Sequence, residues 1–205
     1  MKTVLKISLL LVVFFSASLK AQDNETGIRA SVNFSNWYTD GDVTDENIKV
    51  GFSAGFFHRA FLSDLVSIQP GLEFSQKGST FTYNNIFGEG EIRGILNYIE
   101  LPVLVNIHPS ELFHLGAGAY AGTLLSAKSE FVDEDGDPQG DEEFDRDNFT
   151  TLDYGLIFDL GLDFEAITVG ARYNLGLNDV VWDTTFGDVN LGKNSVFQVY
   201  VGFAF

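Results

Sequence analysis

Phe197-Gln198-Val199-Tyr200-Val201-Gly202-Phe203-Ala204-Phe205 alternates in side-chain character with a period of two. Phe197, Val199, Val201, Phe203 and Phe205 share one face; Gln198, Tyr200, Gly202 and Ala204 share the other. Successive side chains of a β-strand point to opposite faces, so this stretch is a strand with one greasy side and one small or polar side.

The same alternation recurs upstream. Ile28, Ala30, Val32 and Phe34 oppose Arg29, Ser31, Asn33 and Ser35, and Val50, Phe52, Ala54 and Phe56 oppose Gly51, Ser53 and Gly55. Val66, Ile68, Pro70, Leu72 and Phe74 alternate with Ser67, Gln69, Gly71, Glu73 and Ser75. Four further segments, near 95–107, 112–127, 152–164 and 169–176, repeat the pattern, which predicts eight strands in all. The links after the second, fourth and sixth are tight. Those after the first, third, fifth and seventh are long and rich in Gly, Asn and Asp. Short turns on one side and long loops on the other predict an all-β, eight-stranded antiparallel up-and-down transmembrane β-barrel of the outer-membrane type. An even strand count puts both termini on the periplasmic side.

Which face meets lipid is the next question, because a soluble barrel would turn its apolar face inward. The polar face is crowded with Gly, a poor choice for a solvent-exposed strand and a good one for a narrow lumen. Lys and Arg are sparse in the strands, which also favours lipid outside. Two aromatic girdles are expected: Trp37, Tyr38, Phe81, Tyr83, Phe149 and Tyr173 near the loops, and Phe57, Phe61, Phe113, Phe164 and Phe205 near the turns.

The first 21 residues read separately. Lys2 and Lys6 precede an apolar run from Ile7 to Phe15, and Leu19-Lys20-Ala21 follows. The run is short of the ~20 residues a spanning helix needs, so residues 1–21 are expected to be a secretory signal peptide and 22–205 the barrel domain. That mature chain carries nine basic against 29 acidic residues, a charge of −20 that disfavours nucleic acid as a partner. Absence of Cys excludes disulfides, thiolate metal sites and a lipid anchor on cysteine.

Several stretches resemble the Bacteroidetes outer-membrane β-barrel family that includes the PorT-like proteins. They are Gly27-Ile28-Arg29-Ala30-Ser31-Val32-Asn33, residues 67–78, Asn97-Tyr98-Ile99-Glu100-Leu101-Pro102-Val103-Leu104-Val105, and residues 115–122. The resemblance implies an eight-strand outer-membrane barrel. One branch of that family assists a secretion and surface-attachment system, while most members have no assigned activity, so no catalytic residue carries over. An aromatic at the end of the last strand also resembles the signal that such barrels present to the barrel assembly machinery, which here would be Phe203 and Phe205.

Candidate chemistry lies on the polar face. Arg29, Glu73, Glu100, Asp153, Asp159, Asp163 and Arg172 point inward with Tyr98, His114 and Tyr120. Buried charges demand partners, so Glu73 and Glu100 are expected to pair with Arg29 and Arg172 in a structural cluster filling the lumen; a gated polar path is the alternative. His58, His108 and His114 all fall at the turn end, which leaves no loop-end Ser–His–acid site and argues against an enzyme. The acidic loop after the fifth strand, with Asp133, Asp135 and Asp137, does not fit the EF-hand spacing and offers at most a weak divalent-ion site. No cofactor is expected. The expected partners are outer-membrane lipid and lipopolysaccharide, the assembly machinery, and surface or secretion proteins. The function expected is a non-enzymatic structural or docking barrel, with a small-solute or ion pore as the alternative.

Overall fold

The computed structural model describes residues 24–38, 48–85, 88–133, 138–184 and 187–205. The signal-peptide expectation therefore lies outside the described residues. Nine strands are present among those described: β1 (Glu25–Tyr38), β2 (Lys49–Ser63), β3 (Val66–Asn85), β4 (Gly88–Ser110), β5 (Phe113–Asp133), β6 (Pro138–Phe144), β7 (Leu152–Phe164), β8 (Ile167–Thr184) and β9 (Gly187–Ala204). Eight of them, all but β6, form an antiparallel ring in the order β1-β2-β3-β4-β5-β7-β8-β9, and β9 returns to β1. The ring has no free edge along its paired length, so the backbone groups of its strands find partners within the sheet, as a lipid environment requires.

The apolar face points outward. Ile28, Phe56, Leu101, Phe158 and Val199 are each about half exposed, whereas Arg29, Asn33, Glu73, Glu100, Asp159 and Arg172 are buried. A water-soluble protein would invert this distribution, since it removes apolar surface from water. The sheet is a barrel turned inside out, with a polar core and an apolar coat.

Three expectations change. The third and seventh connections are not loops over most of their length: β3 and β4 pair up to Asn85 and Gly88, and β8 and β9 up to Thr184 and Gly187, forming tall hairpins. The acidic segment after β5 contains β6, which folds back on the end of β5 from Ala127 to Val132, followed by a 3-10 turn at Arg146–Asn148. Finally, Trp37, Phe57 and Phe149 do not belong to the girdles. Phe57 is buried in the lumen, and Trp37 and Phe149 pack into the interior at the loop end. Phe57 follows from parity, two residues beyond Gly55 on the inward face, and space for its ring comes from Gly27, where a Cβ would overlap it. The side chain of Tyr83 lies outside the described residues.

Candidate functional site: the filled lumen

Two of the barrel's glycines show how the interior is packed. A Cβ on Gly161 or Gly170 would collide with His114 or with the Tyr200 ring. Bare backbone at these points lets large polar side chains from other strands cross the narrow lumen. The crossing side chains form successive levels.

At the loop end the level is apolar. Leu96 and Tyr98 of β4, Leu124 and Ala127 of β5 and Val180 of β8 are fully buried, with Trp37, Phe144, Phe149 and Leu191 packed on them. A bulge makes this possible: β5 holds an extra residue, Leu125, opposite the Asn97–Tyr98 step, so Ala127 turns inward where strict alternation would turn it out. The sequence pattern alone could not locate that shift.

Below the cap, Lys77 is fully buried. Its ammonium lies 2.5 Å from Glu100 Oε1 and 2.8 Å from Asp153 Oδ2, and 4.2 Å from the Tyr120 ring centre. Asp153 Oδ2 also accepts from Asn194 Nδ2 at 3.1 Å and from the Tyr120 hydroxyl at 3.3 Å. Glu100 is thus held by Lys77 and not by Arg29 or Arg172. Lys77 is the missed cation. It continues the inward parity of Glu73 and Ser75, which β3 carries on beyond its clean alternation at 66–75. Alongside this level, Asn33 Nδ2 donates to Ser53 Oγ at 2.6 Å, and Gln198 Nε2 donates to Asn33 Oδ1 at 3.1 Å.

The next level holds the expected arginines. Arg172 Nε donates to Asp159 Oδ2 at 2.6 Å and its Nη1 to Glu73 Oε1 at 3.2 Å; Arg29 Nη1 stands 3.7 Å from the same Glu73 oxygen. Arg29 also lies 4.2 Å from the Tyr200 ring centre, and the Tyr200 hydroxyl donates to Asp159 Oδ1 at 2.7 Å. Arg29, Glu73 and Arg172 are therefore brought together, with Asp159 as a fourth member. Both arginines sit between two carboxylates, the arrangement that offsets the cost of burying charge.

At the turn end His114 bridges two levels. Its Nε2 lies 3.2 Å from Asp159 Oδ1 and its Nδ1 2.6 Å from Asp163 Oδ2. Arg59, a second cation that the alternation pattern would place inward, reaches Asp163 Oδ1 at 3.2 Å and Glu25 Oε2 at 3.1 Å. Cations are thus not scarce in the strands: Arg29, Lys49, Arg59, Lys77 and Arg172 are buried in the interior, while lipid-facing positions stay apolar. Ser67 Oγ meets His108 Nε2 at 2.9 Å, and Ser67 is fully buried, so the hydroxyl fixes the ring. Asp133 ends β5, with its side chain outside the described residues; Asp135 and Asp137 also lie outside them.

Among solved structures, the chain is similar to the attachment invasion locus protein Ail of Yersinia pestis, at 17% identity over 90% of this chain and 100% of that one, TM-score 0.48. It is also similar to OprG of Pseudomonas aeruginosa, at 14% identity over 91% of this chain and 97% of that one, TM-score 0.46. Neisserial surface protein A gives 12% identity over 91% and 99%, TM-score 0.48. No curated protein sequence matches. The family described as outer membrane protein beta-barrel domain matches residues 20–181. With a closed antiparallel ring, an apolar coat and a family match over most of its length, the chain belongs to the outer membrane protein beta-barrel domain family, whose setting is the cell outer membrane.

Proposed function

We propose that the protein is a closed, non-enzymatic barrel whose turn end and termini face the periplasm and whose tall hairpins stand outside the cell. It acts by position, as a structural component or a docking surface for a surface or secretion assembly. The observation that carries this reading is the stack of levels across the lumen: an apolar cap on Leu96, Tyr98, Leu124 and Val180 above two ion-paired layers. An ion crossing that interior would meet a dry constriction and then break contacts worth several kcal/mol. Small barrels of eight strands are in general filled by side chains. The resemblance to PorT-like proteins favours a secretion or attachment assembly as the partner, with lipopolysaccharide around the coat and the assembly machinery acting on the terminal strand.

Planar-bilayer recording of the purified barrel tests the closed lumen. Silence is the expected result, and well-resolved unitary currents would replace this reading with the pore. Orientation is read separately. With no native Cys, a cysteine at Glu143 on β6 should react with an impermeant maleimide on whole cells and one at Ser110 should not; the reverse labelling would invert the proposed orientation.

A further inference from the structure

His108, His114 and Asp163 converge at the turn-end mouth, where one donor atom from each lies within 4.8 Å of the other two. Three adjacent strands supply them, β4, β5 and β7, so the cluster forms where the β4–β5 and β5–β7 pairs are in register. His108 and Asp163 line a cavity of about 880 Å³ open to solvent, together with Glu25, Asp64, Glu111 and Glu165, and His114 is buried behind them. We propose that this cluster is a binding site for a divalent transition metal of the zinc class, with His108, His114 and Asp163 as ligands and water from the cavity completing the coordination.

The chemistry of the three residues supports it. Two imidazoles and one carboxylate form a common ligand set for Zn²⁺, and a mouth open to solvent leaves a position for water. The outer partners that such ligands need are already in place. Asp159 Oδ1 lies 3.2 Å from His114 Nε2, which leaves Nδ1 for the metal. Ser67 Oγ holds His108 Nε2 at 2.9 Å, which leaves the other ring nitrogen. Metal-bound histidines almost always engage their second nitrogen in this way. Asp163 divides its two oxygens: Oδ1 accepts from Thr168 at 2.6 Å and Arg59 at 3.2 Å, while Oδ2 faces His114. Binding would replace the proton shared by His114 Nδ1 and Asp163 Oδ2, which passes to solvent. Arg59 opposes the incoming cation, and the four carboxylates around the mouth attract it. An anion fits the cavity worse, since those carboxylates surround the single guanidinium.

The probe is Zn²⁺ alone, titrated by calorimetry into the full barrel in detergent at neutral pH, with Co²⁺ absorption reporting the ligand set. One saturable equivalent is expected. H108Q and D163N should each weaken it more than tenfold, Ser67→Ala should weaken it about tenfold, R59Q should tighten it, and H58Q should leave it unchanged. Each variant is first shown to be folded by its heat-dependent gel mobility, and H108Q, at the mouth, spares the buried ion pairs. Absence of saturable binding overturns the proposal. Binding that survives both H108Q and D163N also overturns it, by placing the metal elsewhere, such as on the acidic loops.

Discussion

Replacing Lys77 with Met removes one charge from the centre of the lumen while keeping much of the side chain's volume. Asp153 loses its cation but retains Asn194 Nδ2 at 3.1 Å and the Tyr120 hydroxyl at 3.3 Å, two neutral donors that keep it solvated. Glu100 has Lys77 as its ion-pair partner and is 2% exposed, so the least costly response is to take up a proton. Neutralising an ordinary glutamate at pH 7 costs about 4 kcal/mol, in line with the ~3–5 kcal/mol seen when one partner of a buried pair is removed. The Met thioether keeps part of the contact with the Tyr120 ring, so the lost cation–π attraction adds no more than about 1 kcal/mol. Urea unfolding in lipid vesicles, followed by the shift of the folded band on unheated gels, should show a loss of roughly 4 kcal/mol at pH 7. Adding Glu100→Gln and Asp153→Asn to the same chain removes the unpaired charge and should restore most of the loss. A K77M barrel within about 1 kcal/mol of wild type would refute the claim that this pair is desolvated, and failure of the triple variant to recover would refute the electrostatic origin of the loss.

Other expectations test the coat, the packing and the closure. Val199→Arg puts a charge on the outward face of β9 and should destabilise the lipid-embedded barrel by about 2–4 kcal/mol; an effect below about 0.5 kcal/mol, as for a solvated surface, would show that this face meets water. Gly170→Ala drives a methyl into the Tyr200 ring and the Leu160 carbonyl and should cost about 1–3 kcal/mol in the same unfolding assay, with a neutral result meaning that Tyr200 is not held there. Deleting Phe205 removes the backbone bond from its N–H to the Thr26 carbonyl at 2.8 Å together with the terminal aromatic. The folded fraction in the outer membrane should fall, and normal insertion would count against an assembly role for that residue.

Much of the architecture can be read from residue order because it rests on a single local rule. Alternation fixes which side chains share a face, and the placement of Gly and cations on the polar face says that this face encloses a narrow space. Arg29, Glu73 and Arg172 are legible as one cluster because each lies well inside a clean alternating stretch. Lys77 and Arg59 are equally legible by parity, yet they lie beyond the clean alternation that runs to Ser75 and to Phe56, and the observed lengths of β3 and β2 carry the parity through them. The inward Ala127 is a different case. It depends on a bulge against β4, which alternation within β5 cannot reveal.

The sequence by itself thus determined a β-barrel with an apolar coat, because period two and side-chain chemistry are properties of each strand taken singly. The tertiary structure decided who meets whom across the lumen. Lys77 of β3 is matched to Asp153 of β7 only when the sheet curls across the lumen and the register of every pair between them is set, while His108 of β4 meets His114 and Asp163 through the registers of two adjacent pairs. Contacts such as Lys77–Asp153, 76 residues apart, cross the packed interior instead of following a ladder. Their identity depends on the summed registers around the ring, a quantity that no single strand contains.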